Sequence, residues 1–163
     1  MARVRPDQPL LPSVLDRLID DDPTVSTETP RARTQMLREL KLAVRRDLEN
    51  LLNTRRRAVA VPPGHTELGR SLLTYGLADF SGAGPGGGKE RDAFCRSIEA
   101  VIRQHEPRFL SVTVELASGA DPTDRTLRFR IDAVLRADPV PEPVVFDSTM
   151  EPATGTFAVG GTA

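Results

Sequence analysis

Between His105 and Ser111 the hydrophobic pattern of the chain changes its period. Upstream, apolar residues recur every three or four positions. Downstream they recur every second position. The first spacing puts side chains on one stripe of a helix, and the second puts them on one face of a strand. Helices therefore come first and strands follow. A stripe and a face of this kind are each half-buried and need a mate, so the simplest fold packs one against the other.

The strongest helical stretch runs from Thr34 to Asn53. Met36, Leu37, Leu40, Val44, Leu48, Leu51 and Leu52 form its stripe. A second long helix is predicted from Glu90 to His105, with Phe94, Ile98, Val101 and Ile102 on one side. Pro107 stops it, because the residue before a proline is pushed out of the helical region. Val112, Val114 and Leu116 then alternate with polar residues, as do Leu127, Phe129, Ile131, Ala133 and Leu135. A hairpin loop over Gly119–Asp124 joins these two strands. A third strand is expected at Val144–Ser148 and a fourth at Thr156–Val159. The fold class is α+β, with N-terminal helices packed on one face of a small, mainly antiparallel C-terminal sheet.

The 163 residues fit one domain over 31–160, preceded by an extension over 1–30. That extension holds a short helix, Pro12–Ile19, with Leu11, Val14, Leu15 and Leu18 at helical spacing. A mobile, acidic linker rich in Thr and Pro follows at Asp20–Pro30. Inside the domain a short helix is expected at Glu67–Thr74, closed by Gly76. Ser81–Gly88 is a glycine-rich loop.

Several function classes are disfavoured by composition. A net charge of -1 does not suit a general polyanion binder, so no nucleic-acid partner is expected. Cys95 is the only cysteine, which rules out an internal disulfide and argues against a cysteine metal site. No apolar run approaches the roughly 20 residues that span a bilayer. The chain reads as a cytoplasmic protein without direct membrane insertion.

Motif-bearing chemistry fares no better. Gly82, Gly84 and Gly87 match G-x-G-x-x-G, but no strand precedes them and no βαβ unit surrounds them. A phosphate loop fails because Ala83 takes the place of its first glycine and Glu90 that of the Ser or Thr after Lys89. The two histidines, His65 and His105, lack a third ligand. His105 continues the Ile98–Ile102 stripe and reads as a packing residue. Glu106, Asp79, Asp132 and Asp147 could in principle form a glycosidase pair. Yet no cleft is defined, tryptophan is absent, and there is one tyrosine to stack a sugar. No catalytic residue, cofactor or metal site is expected. The basic face of the first long helix, with Arg38, Lys41, Arg45 and Arg46, could meet nucleic acid, lipid head groups or an acidic protein surface, although most such faces are simply solvated.

Several segments taken in order are more specific: Leu15-Asp16-Arg17-Leu18, then Val44 to Arg55, then Ser71 to Phe80, then Ile98-Glu99 followed by Glu106-Pro107-Arg108 and Val112-Thr113-Val114. Leu127 to Ile131 and Val145 to Ser148 complete the set. In this order the chain resembles the TssE family of type VI secretion baseplates and its phage-tail wedge relatives, over about residues 10 to 159. The Ser81–Gly88 loop is longer and richer in glycine than the family's usual connection.

The resemblance implies a structural subunit at the cytoplasmic face of the inner membrane. Its partners would be the wedge subunits TssF and TssG, other baseplate components and the proximal sheath subunits. It would help assemble the wedge and nucleate the contractile sheath and tube. Glu106-Pro107-Arg108 matches the family's hallmark tripeptide, implicated in holding the wedge core together. Pro107 would fix a corner from which Glu106 and Arg108 project as rigid charged groups, with Arg108 pairing to a partner carboxylate. On that reading, truncating either charge leaves the fold intact. The expected partner-binding residues are Glu106, Pro107, Arg108, Arg45, Arg46, Phe146 and Asp147. The segment Val144–Val159 is expected to offer an edge strand to a tail component. The alternative is a peptidoglycan hydrolase, after the lysozyme-like label the family often carries.

Overall fold

The computed structural model describes residues 10, 13–19, 23–24, 32–57, 60–78, 88–117 and 126–161. Most of the expected linker at 20–30, the glycine-rich stretch 81–87, the hairpin loop 119–124 and Asp79 lie outside them. Helix α1 spans Val14–Leu18, α2 spans Arg33–Asn53 and α3 spans Gly88–His105. The strands are β1 (Phe109–Leu116), β2 (Leu127–Leu135), β3 (Glu142–Glu151) and β4 (Thr156–Val159). They form one sheet in the order β1-β2-β3-β4, antiparallel throughout. The α+β expectation holds. The expected helix over Glu67–Thr74 is instead two 3₁₀ turns, Leu68–Arg70 and Leu72–Thr74. Ser71 interrupts them with an extended backbone at ψ 177° and caps the second turn, accepting from the Leu73 amide.

One face of the sheet is covered by the helices, with α3 against β1 and α2 against β4. The period-two residues Phe129, Ile131, Ala133 and Leu135 of β2 are buried, while Arg128 and Arg130 between them are exposed. From α2 come Val44, Leu48, Leu51 and Leu52; from α3 come Phe94, Cys95, Ile98, Val101 and Ile102. Met36, Leu37 and Leu40 are only half-buried, so the C-terminal half of α2 is its anchor. Four buried aliphatic side chains contribute roughly 6–12 kcal/mol of apolar burial there, before entropy is charged.

Two local devices tie the end of α2 into the domain. At Gly76 the backbone turns with φ +97°, and a Cβ there would sit 2.2 Å from the Thr54 carbonyl oxygen. Only glycine permits this approach. It lets the Leu77 amide donate to Thr54 (2.9 Å) and the Arg56 amide donate to Leu77 (2.7 Å). The second device is Asn53. Its amide Nδ2 donates to the Phe157 carbonyl at 2.9 Å, and its Oδ1 accepts from the Phe157 amide at 2.8 Å.

That clamp corrects the expectation for the C-terminal segment. Val144–Val159 is not one edge strand. β3 lies between β2 and β4, so of these two strands β4 alone is an edge. The backbone groups of Phe157 that a new strand would use are already held by Asn53. Asn53→Ala is expected to lower stability by about 1–3 kcal/mol, since two net hydrogen bonds are lost. Asn50→Ala, on the exposed side of the same helix, should stay within about 0.5 kcal/mol. Thermal denaturation of the two variants checks this; equal midpoints would contradict it.

Candidate functional site

The helix-to-strand corner is where the charged residues converge. α3 closes with the Glu106 amide donating to Ile102 at 2.8 Å, and Pro107 then turns the chain into β1. This geometry tucks Glu106 inward, leaving the residue 5% exposed. The Arg108 guanidinium folds back on it. Nε donates to Glu106 Oε1 at 2.7 Å and Nη2 donates to Oε2, a two-point fork inside the chain. The same Nη2 donates to Asp47 Oδ2 of α2 at 2.6 Å. Asp47 turns its other oxygen, Oδ1, to Arg46, whose Nη2 lies 3.0 Å away. Arg46 Nη2 in turn donates to Asp16 Oδ1 of α1 at 2.7 Å. Asp16 closes the line with Ser13, accepting from its Oγ at 2.6 Å and its amide at 3.2 Å.

A continuous network thus runs Asp16–Arg46–Asp47–Arg108–Glu106 through three elements of the fold. Three carboxylates face two guanidiniums. Burial works against the charge on Arg108, but the hydrogen bonds and charges of Glu106, then of Asp47, outweigh it and hold the guanidinium above its ordinary value. For Arg46 the hydrogen bond to Asp16 leads and that to Asp47 follows, again raising it. Burial likewise opposes the charge on Asp16, yet hydrogen bonds from Ser13 and Arg46 keep its carboxyl below the usual range. Tyr75 stands near the same carboxylates. Burial first, then the charges of Asp47 and Glu106, push its phenol up, so it stays neutral. One donor of the network, Arg108 Nη1, is buried and meets no acceptor among the described residues.

The floor of the corner is built from the 3₁₀ turns. Gln104 Nε2 donates to the Gly69 carbonyl at 2.6 Å, and His105 Nε2 lies 3.1 Å from the Thr74 carbonyl. The His105 ring meets Tyr75 edge-on at 5.2 Å between centroids. His105 is thus a half-buried packing residue, as its place on the stripe predicts.

The structure brings Arg46, Glu106 and Arg108 together and leaves Pro107 exposed beside them. It corrects two expectations. Glu106 and Arg108 do not project as unpaired charges, because each finds its counter-ion within the chain. Phe146 is no surface residue: it is 2% exposed, inside the core, with its ring 6.4 Å from that of Phe109. Arg45 and Asp147 are exposed outside the network. Asp147 lies on the outer face of the sheet opposite Arg130. Asp16 and Asp47 were present in the segments singled out by sequence but not among the expected site residues. Arg46 lies 30 positions from Asp16 and Arg108 lies 61 from Asp47, beyond any local pattern.

Of the carboxylates considered for hydrolysis, Asp79 lies outside the described residues and the other three are engaged or dispersed. Both Glu106 oxygens are taken by Arg108, and Asp132 pairs at 3.0 Å with the exposed Arg130. Among the described residues no three or more His, Cys, Asp or Glu side chains are grouped to hold a metal ion. Among them, too, no helix is long and apolar enough to cross a membrane.

The fold is thus a layer of helices on one face of an antiparallel sheet, with its charged corner tied by ion pairs within the chain. The chain belongs to the family of the baseplate wedge protein gp25, whose family model matches residues 38–140. That span includes α2 from Arg38 onward, all of α3, the Glu106–Arg108 corner and the first two strands. No curated protein sequence matches the chain. Family membership makes it a structural component of a phage-type or secretion baseplate, working in contact with other baseplate components.

Proposed function

We propose that this chain is a TssE-like wedge subunit of a type VI secretion baseplate, standing at the cytoplasmic face of the inner membrane. Its neighbours would be TssF, TssG and the proximal sheath subunits, and its task would be to complete the wedge and nucleate the sheath. The observation that carries the reading is the corner itself. Ion pairs among five charged side chains brace the turn beside the exposed Pro107. Glu106 and Arg108 serve by shaping the corner, while exposed neighbours make contact.

Those neighbours include apolar groups. Leu72 and Leu73, in the 3₁₀ turn that leads to Tyr75, are 86% and 45% exposed, and Leu110 just beyond the corner is 50% exposed. Charged Arg45 of α2 and Asp147 of β3 complete the set of proposed contacts. The test is co-purification of tagged protein with TssF and TssG. Leu72→Asp and Arg45→Glu should keep the circular dichroism spectrum and thermal midpoint of the parent. Leu72→Asp should weaken capture by roughly thirtyfold or more, the size of an interfacial hot spot of 2 kcal/mol. Arg45→Glu should act in the same direction and less strongly. Unchanged capture by both variants would remove Leu72 and Arg45 from the wedge contact.

A further inference from the structure

α1 is held in an unusual way for so short a helix. It has five residues, none of them buried. Val14, Leu15 and Leu18 are 74%, 55% and 76% exposed, so burial of its own apolar side chains does not hold it down. A helix of this length does not persist in water, where isolated helices shorter than about 12–15 residues are marginal. Among the described residues, the side-chain bond that ties α1 to the domain is Asp16 Oδ1 on Arg46 Nη2, at 2.7 Å. The other oxygen of the same carboxylate, Oδ2, accepts from the Ser13 amide and hydroxyl, while the Ser13 hydroxyl caps the Asp16 amide at 3.2 Å. One carboxylate therefore both starts the helix and fastens it.

We infer that α1 is a strap latched by Asp16, in which helix formation and docking on α2 are a single event. Fixing the carboxylate on Arg46 holds it in the rotamer that completes the capping box. Completing the box presents the second oxygen to Arg46. Each bond pre-pays the ordering that the other needs, so loss of either partner releases both. The exposed apolar side chains of α1 are then carried either on a fixed helix or on a loose chain. The latch is partly exposed, with Arg46 at 38% and Asp16 at 14% side-chain accessibility, so dissolved salt reaches it. Arg46 keeps Asp47 when the strap leaves, so the link from Asp47 to Arg108 and Glu106 survives release.

The experiment places spin labels on Leu18→Cys and Asn50→Cys in the full chain and measures their separation by pulsed dipolar spectroscopy; Cys95 is buried and stays unlabelled. The parent should give one narrow distance peak. Asp16→Asn and Arg46→Gln should each broaden it to the width of an unrestrained tether, and the double variant should be no broader than either. Arg17→Gln, which removes a neighbouring charge outside the latch, should leave the peak narrow. Molar sodium chloride should broaden the parent peak. The thermal midpoint of the domain should hold in Asp16→Asn, which shows that release is local. A peak that stays narrow in Arg46→Gln overturns the latch, whatever Asp16→Asn does, because α1 would then be held by its cap and packing alone. A domain unfolded by Asp16→Asn overturns it as well.

Discussion

Arg108→Ala is expected to destabilise the domain by about 3–5 kcal/mol, the range found when one member of a buried ion pair is removed. Glu106 is 5% exposed, and its two oxygens receive the two-point fork of Arg108. Truncating the arginine leaves that buried carboxylate without its counter-ion. It also removes from Asp47 the guanidinium it meets at 2.6 Å. Arg108→Lys should lie between the parent and the alanine variant, because an ammonium keeps the charge but cannot reach Glu106 and Asp47 with the planar fork. Glu106→Gln should cost less than Arg108→Ala, since Arg108 keeps Asp47. Urea denaturation at neutral pH reads all three. If Arg108→Ala falls within about 0.5 kcal/mol of the parent, the corner is an ordinary solvated charge cluster. The consequence for function is practical. Loss of partner binding in an Arg108 variant means little unless the variant is shown to be folded.

The second large effect is at β4. Removing residues 154–163 should unfold the domain rather than merely disarm an interface. Phe157 and Val159 are 4% and 5% exposed, and the Phe157 ring lies 6.1 Å from that of Phe129 in the core. Phe157→Ala alone is expected to cost about 3–5 kcal/mol. The truncation also takes away Val159 and the backbone partners of β3 along Ser148–Glu151. Loss of the cooperative thermal transition in the truncated chain is the expected result. A truncated chain that keeps the parental midpoint would mean that β4 is an appendage, and would return it to the list of surfaces open to a neighbour.

These two cases show where local pattern stops being informative. The strands and long helices were legible because burial imposes a period on neighbouring residues. Phe129, Ile131, Ala133 and Leu135 repeat every two positions in β2, and Val44, Leu48, Leu51 and Leu52 repeat every three or four in α2. Such a period is written into a short window of chain and survives without knowledge of the partner element. The order of the elements then determined the class, helices on one face of an antiparallel sheet. His105 was legible for the same reason, since it continues the stripe of α3.

The charged corner was not legible in that way. By sequence, Glu106-Pro107-Arg108 is two charges either side of a turn, and charges at turns are usually solvated. Only the tertiary fold brought Asp47 of α2 to Arg108, and Asp16 of α1 to Arg46, so that surface charges became a nearly closed set of ion pairs. The same holds for Asn53, whose amide meets Phe157 from 104 positions away, and for Phe146, which packing draws into the core. The sequence by itself determined which elements form and which faces are apolar, because those depend on neighbours along the chain. The tertiary structure decided which charges are spent inside the molecule and which remain for a partner, because an ion pair depends on distance in space and on the burial that packing alone creates.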